Sequence, residues 1–159
     1  MPGPLDAMRE HHRGILEELA AVEATAEALT PQELGRQRDA LRRAVTFLLQ
    51  DLLPHAQGEE RALYPAVEPL IKQHGEATAP YKREHRFLEG AIDDFRRDAE
   101  ALIGGGASSE AVGRLRRTAV GLAAVLRLHL ALEEELLLPL AEAHLSQAQQ
   151  EDLLRRMHE

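Results

Sequence analysis

The sequence predicts an all-α fold: an up-down-up-down antiparallel four-helix bundle with a short C-terminal fifth helix. Three observations carry this. Ala, Leu, Glu, Arg and Gln dominate the chain and aromatic residues make up only 3% of it, a composition that favours helix. Four long stretches repeat apolar residues at alternating steps of three and four, the period of one buried helix face. Short segments rich in Pro, Gly and capping residues separate the stretches, and short connections make neighbouring helices antiparallel. A chain of 159 residues suffices for one core and is too short to expect two, so residues 1–159 are read as a single domain.

The first helix is expected from about Leu5 to Leu29, with a seam of Leu5, Met8, His12, Ile15, Leu19, Val22, Ala26 and Leu29. His12 lies in that seam and His11 does not. The second starts at Thr30-Pro31-Gln32-Glu33: Thr30 suits the N-cap, Pro31 the first helical position, and Glu33 completes a capping box. Its seam runs Leu34, Leu41, Val45, Leu48, Leu52, His55, Glu59, Ala62, Ala66. The third begins near Pro80, with seam Tyr81, His85, Leu88, Ile92, Phe95, Ala99, Leu102, and the run GGGASS (104–109) breaks it and supplies the next cap. The fourth has seam Leu115, Leu122, Val125, His129, Glu133, Leu136, Leu140, and a short capped helix follows from Ser146. Pro54 and Pro139 fall inside helical patterns and predict a kink at each, or an early end at the second.

Composition narrows the chemistry. The net charge of −8 gives no reason to expect nucleic acid or an anionic membrane as partner. The chain has no Cys, which excludes disulfides, thiolate zinc sites, cysteine-ligated iron–sulfur clusters and cysteine nucleophiles. Any metal must be held by imidazole and carboxylate. The start MPGPLDAMREHH has no apolar run and no segment reaches the length of a membrane span, so the expected location is the cytoplasm. No Ser-His-Asp order, phosphate loop or aromatic-interleaved basic patch is present.

Each of the four seams contains one histidine: His12, His55, His85 and His129. Two carry a glutamate four residues later, His55/Glu59 and His129/Glu133. Four residues advance a helix by about 400°, which leaves the pair one turn apart and roughly 40° off one line. Both side chains can then reach one point beside the helix, as ligands to a metal. Depth agrees as well. The midpoint of His12 and His55 falls between Glu33 and Leu34, that of His55 and His85 at Leu70, and that of His85 and His129 at Ala107. Each lies on or beside a helix break assigned without the histidines, so the four imidazoles converge at one level. A lone seam histidine is more often a hydrogen-bonded core residue. Four at one level, with two carboxylates and no Lys or Arg in the seams nearby, require a cation.

Six ligand side chains exceed the four that one tetrahedral zinc needs and suit two ions sharing carboxylates. Imidazole with carboxylate favours iron or manganese by ligand type, while affinity leaves zinc and copper open. Glu89, four after His85, reads as a seventh ligand, an acceptor behind a ligand, or a solvated residue. Tyr81, four before His85, reads either as a hydrogen-bond partner of the site or as a core tyrosine. Tyr64 is out of phase and reads as closing the end of the pocket. Glu60, Glu84, Glu134 and Glu135 read as solvated, and His11, His74, His144 and His158 as surface residues.

At HHRGIL, HAQGEERALYP, EHRFLEG and HLALEEELLLP the chain resembles the hemerythrin-like, HHE cation-binding family over its whole length. The resemblance implies a non-haem di-iron centre in a four-helix bundle. Glu59 and Glu133 would bridge two iron ions, joined by oxo or hydroxo when oxidised, and His12, His55, His85 and His129 would be terminal ligands. Its implied small-molecule ligands are O2, NO or peroxide, bound or reacted with for sensing or detoxification, with peroxidase- or NO-reductase-like activity as the enzymatic form. Oxygen carriers of the family have HxxxH on the third helix, where this chain has His85 and Glu89. The arrangement looks closer to the di-iron proteins that repair iron–sulfur clusters and to bacterial members acting on NO or peroxide. The competing readings are iron handling or cluster repair and, last, a metal-free interaction bundle.

Overall fold

The computed structural model describes residues 3–71, 78–105 and 108–157, and every strand or helix among them is helical. Eight α-helices follow in order: α1 (Asp6–Ala28), α2 (Leu34–Phe47), α3 (Leu53–Arg61), α4 (Leu63–Ile71), α5 (Ala79–Ile103), α6 (Ser109–Leu132), α7 (Leu138–His144) and α8 (Gln147–Met157). Two π-helical turns, Leu48–Leu52 and Glu133–Leu137, join α2 to α3 and α6 to α7. The expected second arm is therefore α2 to α4, and the fourth is α6 with α7. Helix α1 packs on α2 and α6, and α5 packs on the same two. The result is the predicted helical bundle, with α8 as the short fifth piece, packed on α3 and α4.

The seams expected for the first and third arms are buried at every position. The other two are displaced near the π turns. In the second arm Ala44 is buried and the expected Val45 only half-buried; in the fourth, Leu137 and Ala141 are buried while Leu136 is exposed and Leu140 half-buried. The prolines explain both shifts. A proline has no N–H and its ring collides with the carbonyl four residues back. Here the residue before each proline donates five residues back instead, Leu53 to the Leu48 carbonyl and Leu138 to that of Glu133. The wider turn takes up one extra residue, so the buried face advances by steps of four through it. The arm continues through each proline as helix, so the early end expected at Pro139 does not occur.

The ends are tied by specific bonds. Thr30 Oγ1 accepts from the Glu33 N–H (3.3 Å) and the Thr30 N–H donates to Gln37 Oε1 (3.2 Å), but α2 begins only at Leu34, with Glu33 at its cap position and no side-chain cap, so the capping box expected from Thr30 does not start the helix. The Arg116 guanidinium donates to the carbonyls of Ala26, Glu27 and Leu29, closing the end of α1. Gly105 ends the third arm at φ +103°, and Ser108 Oγ caps α6 by accepting from the Ala111 N–H. The midpoint Ala107, together with His74 and His158, lies outside the described residues.

Two apolar clusters fill the bundle. One contains Ile15, Leu48, Leu52, Leu88 and Leu126; the other contains Leu5, Met8, Ala62, Tyr64, Tyr81, Leu137 and Leu153. Along every arm the residues that belong to neither, His12, His55, Glu59, His85, His129 and Glu133, fall between members of the first and members of the second. A polar layer thus lies between two apolar ones.

Helix α8 docks at that layer. A Cβ at Gly58 would stand 2.5 Å from the Met157 carbonyl oxygen, a backbone atom. Arg61 Nη2 donates to the same oxygen (3.2 Å), and Arg156 Nη2 donates to the Arg61 carbonyl (3.0 Å), which Pro65 cannot serve for lack of an N–H. Gly58→Ala is expected to destabilise the protein by about 1–3 kcal/mol through overpacking and to raise hydrogen exchange in α8. An unchanged or raised melting temperature, as for an ordinary helical Gly→Ala change, would contradict this contact.

Candidate metal centre

Each arm contributes to one cluster: His12 from α1, His55 and Glu59 from α3, His85 from α5, and His129 with Glu133 from the end of α6 and its π turn. Their exposures are 0% for His12, Glu59 and Glu133, 1% for His85 and His129, and 8% for His55. Glu59 is central. Its Oε1 lies 3.0 Å from His55 Nε2 and 3.5 Å from His12 Nε2, and its Oε2 lies 3.2 Å from His85 Nε2 and 3.9 Å from His129 Nε2. Glu133 is placed similarly, with Oε1 3.4 Å from His129 Nε2 and Oε2 3.9 Å from His12 Nε2. The ligand atoms sort into two groups, His12/His55/Glu59 and Glu59/His85/His129/Glu133, which share Glu59.

Three imidazoles are held from behind. Nδ1–H of His12 donates to Glu134 Oε1 (3.1 Å), that of His85 to Glu60 Oε1 (3.1 Å), and that of His129 to Glu84 Oε2 (2.9 Å). An ionised carboxylate only accepts, so Nδ1 carries a proton and Nε2 is the atom turned inward, open to a metal or to a second proton. This corrects the expectation that Glu60, Glu84 and Glu134 are solvated bystanders. Glu60 is exposed and the other two are half-buried, yet each reaches back to orient an imidazole. Glu135 is exposed, as expected.

Tyr64 is the residue whose role the sequence reading understated. It is fully buried, its hydroxyl donates to Glu133 Oε1 (2.6 Å), and it lies 3.0 Å from His85 Nε2. The helix break at Ala62 (φ −123°, ψ −57°) resets the phase that put Tyr64 outside the seam. Burial, then the charges of Glu59 and Glu133, pushes its hydroxyl far above the usual tyrosine range, so it remains a donor. Tyr81 is buried against the rings of Tyr64 (5.8 Å) and His129 (5.9 Å), which makes it a wall of the site. Glu89 is exposed and is not brought into the cluster. His11 is exposed, as expected, but its ring lies 4.7 Å from that of His55. His144 is exposed.

The electrostatics call for cations. Among the described residues no Lys or Arg is buried, so no side-chain cation answers the two glutamates. His12 Nε2, His55 Nε2, both oxygens of Glu59 and Glu133 Oε2 are buried without a hydrogen-bond partner. His85 Nε2 and His129 Nε2 face each other at 2.9 Å. Buried polar atoms without partners are costly, and these all point at one another. Burial disfavours protonation of His129, but Glu133 and Glu59 overcome it and push its pKa up to about 11; the His12 pKa is also raised, against burial, chiefly by Glu59. Burial and the neighbouring Glu59 charge raise Glu133, whereas His55 and His12 outweigh burial and hold Glu59 well below the usual carboxylate range. The two carboxylates are thus surrounded by imidazoles, and bound cations can take the place of the imidazole protons.

A cavity of about 750 Å³ is an outer groove of α1 and α2 walled by Glu10, Glu17, Glu18 and Arg43 among others, and none of the six ligand candidates lines it. No helix is long and apolar enough to cross a membrane among the described residues.

No curated protein and no solved structure matches the chain significantly. A family model, the hemerythrin HHE cation-binding domain, matches residues 3–159. That match spans all six buried ligand candidates, and the cluster they form is the kind of site the domain's description names. The chain belongs to the hemerythrin HHE cation-binding domain family.

Proposed function

We propose that this chain is a non-haem di-iron protein that binds or reacts with a small oxidant, O2, NO or peroxide, in sensing or detoxification. The observation that carries the reading is the shared Glu59, whose two partnerless oxygens face two histidine groups in a buried layer. Two positions sharing a carboxylate suit a pair of ions better than one. His12, His55 and Glu59 would hold one ion, and His85, His129, Glu59 and Glu133 the other. Nitrogen and carboxylate oxygen without thiolate favour iron by ligand type. When bound, the iron pair supplies the electrons and the attachment point for the oxidant.

The remaining work falls to the protein. Glu134, Glu60 and Glu84 fix the tautomer and the aim of three imidazoles. Tyr64 keeps its proton and directs it at Glu133 Oε1. The apolar clusters on both sides exclude bulk water and strengthen every electrostatic contact inside. A second reading, iron delivery or cluster repair, is favoured by the position of His55 at the edge of the layer.

Purified protein is expected to contain close to two iron per chain, and His55→Ala or Glu59→Ala to lose metal and the thermal stabilisation it provides. Less than one equivalent of any metal in a fully helical protein would contradict the reading. Glu84→Ala is expected to weaken metal affinity about 10–100-fold in competition with a chelator, the usual effect of losing a partner behind a ligand; unchanged affinity would show that the Glu84 bond does not orient His129. Protons compete with metal, so loading in weak buffer should release protons. In metal-free protein the raised His12 and His129 pKa values give stability that is present below the ordinary imidazole pKa of about 6.5. That stability is lost as pH rises, through about 11 for His129. The melting temperature of stripped protein should therefore fall from pH 7 to 11, and a flat profile would contradict the assignment.

A further inference from the structure

The two halves of the layer are not equivalent. His12, His85 and His129 are at most 1% exposed and each is braced by a glutamate. His55 is 8% exposed, and among the described residues no carboxylate bonds its Nδ1. It forms part of the wall of two openings of about 420 and 190 Å³. The larger is lined by His11, Gln50, Asp51, His55, Arg61 and Met157 among others; the smaller runs under α8, past Leu154. Met157 borders both. The last turn of α8 is held beside His55 by a few contacts: Leu153 and Met157 in the apolar cluster, the Arg61 bond to the Met157 carbonyl, and the Arg156 bond to the Arg61 carbonyl. The other group has four ligand candidates and is closed by Tyr64 and Tyr81.

We propose that the His12/His55/Glu59 position is the exchangeable metal position, that metal enters and leaves it through the opening beside His55, and that the docking of α8 sets the rate. The Glu59/His85/His129/Glu133 position retains its ion. This rests on the two-metal reading above and adds which position turns over and what controls it. Exposure favours the assignment, because a chelator must reach a ligand atom before it can displace one. Bracing favours it too, because an imidazole held only by its ring packing swings away from a metal more readily than one tied at Nδ1. Undocking a helix of 11 residues held by a few contacts is a local opening, and such openings need far less free energy than global unfolding.

The test is anaerobic release of ferrous iron to excess ferrozine, followed by absorbance, in the loaded chain of residues 1–159. Two phases of about one equivalent each are expected. Arg156→Ala removes one bond holding α8 and should speed the first phase about fivefold, the effect of losing one hydrogen bond, while leaving the second unchanged. Circular dichroism of the variant checks that the bundle is intact. Should Arg156→Ala fail to fold, Leu154→Ala, at a half-buried position on α8, supplies the same comparison. His55→Ala should retain one equivalent, released at the slow rate. Two equivalents leaving in a single phase, or a fast phase indifferent to both α8 variants, would overturn this inference while leaving the two-metal reading standing. Uptake of fewer than two equivalents would overturn both.

Discussion

Two glutamates buried at 0% exposure, with no buried Lys or Arg among the described residues to answer them, are the constraint on which the rest of the structure turns. Ionised carboxylates in an apolar interior are among the costliest groups a fold can bury. Here the four bundle arms each bring an imidazole to the same depth, and three of those imidazoles are tied at Nδ1 with Nε2 facing inward. The polar layer is destabilising by itself and becomes favourable only with positive charge inside it. Protons on the imidazoles meet that need in part, and bound metal would meet it further.

The backbone serves the same layer. The π turn Leu48–Leu52 ends three residues before His55, and the other, Glu133–Leu137, begins at a ligand candidate. Each accommodates a proline and resets the buried face of its arm, so that polar and apolar layers stay in register. The break at Ala62 turns Tyr64 inward, where its hydroxyl meets Glu133. Gly58 lets the end of α8 approach within contact of α3. The irregularities of the two proline-bearing arms are therefore concentrated around the metal layer.

Long-range periodicity made much of this legible in the sequence. Seams of three and four located all six ligand candidates, and the helix breaks alone placed the four histidines at one depth. What was hidden depends on departures from ideal helix. Leu136 and Val45 were assigned to seams because the pattern assumes 3.6 residues per turn, and a π turn does not obey it. Tyr64 looked out of phase for a similar reason, since the chain breaks two residues before it. Glu60, Glu84 and Glu134 were missed because phase describes where a Cβ points. A long side chain on the neighbouring helix can still reach an imidazole from its solvent side. Glu89 has the spacing of a ligand and none of the burial; His85 pairs with glutamates from the second arm instead.

Membership of a cation-binding family and a buried His/Glu layer agree on metal binding. The sharing of Glu59 between two groups is the observation that supports the proposal of a pair of ions. The most direct test of that central claim is a crystal structure of iron-loaded protein with anomalous scattering recorded at the iron edge. Two peaks are predicted within the layer, both with Glu59 oxygen at about 2 Å, the usual length of such a bond, one also bound by His12 and His55 and the other by His85 and His129. A single peak, or iron bound only by exposed carboxylates with Glu59 left unligated, would contradict the account.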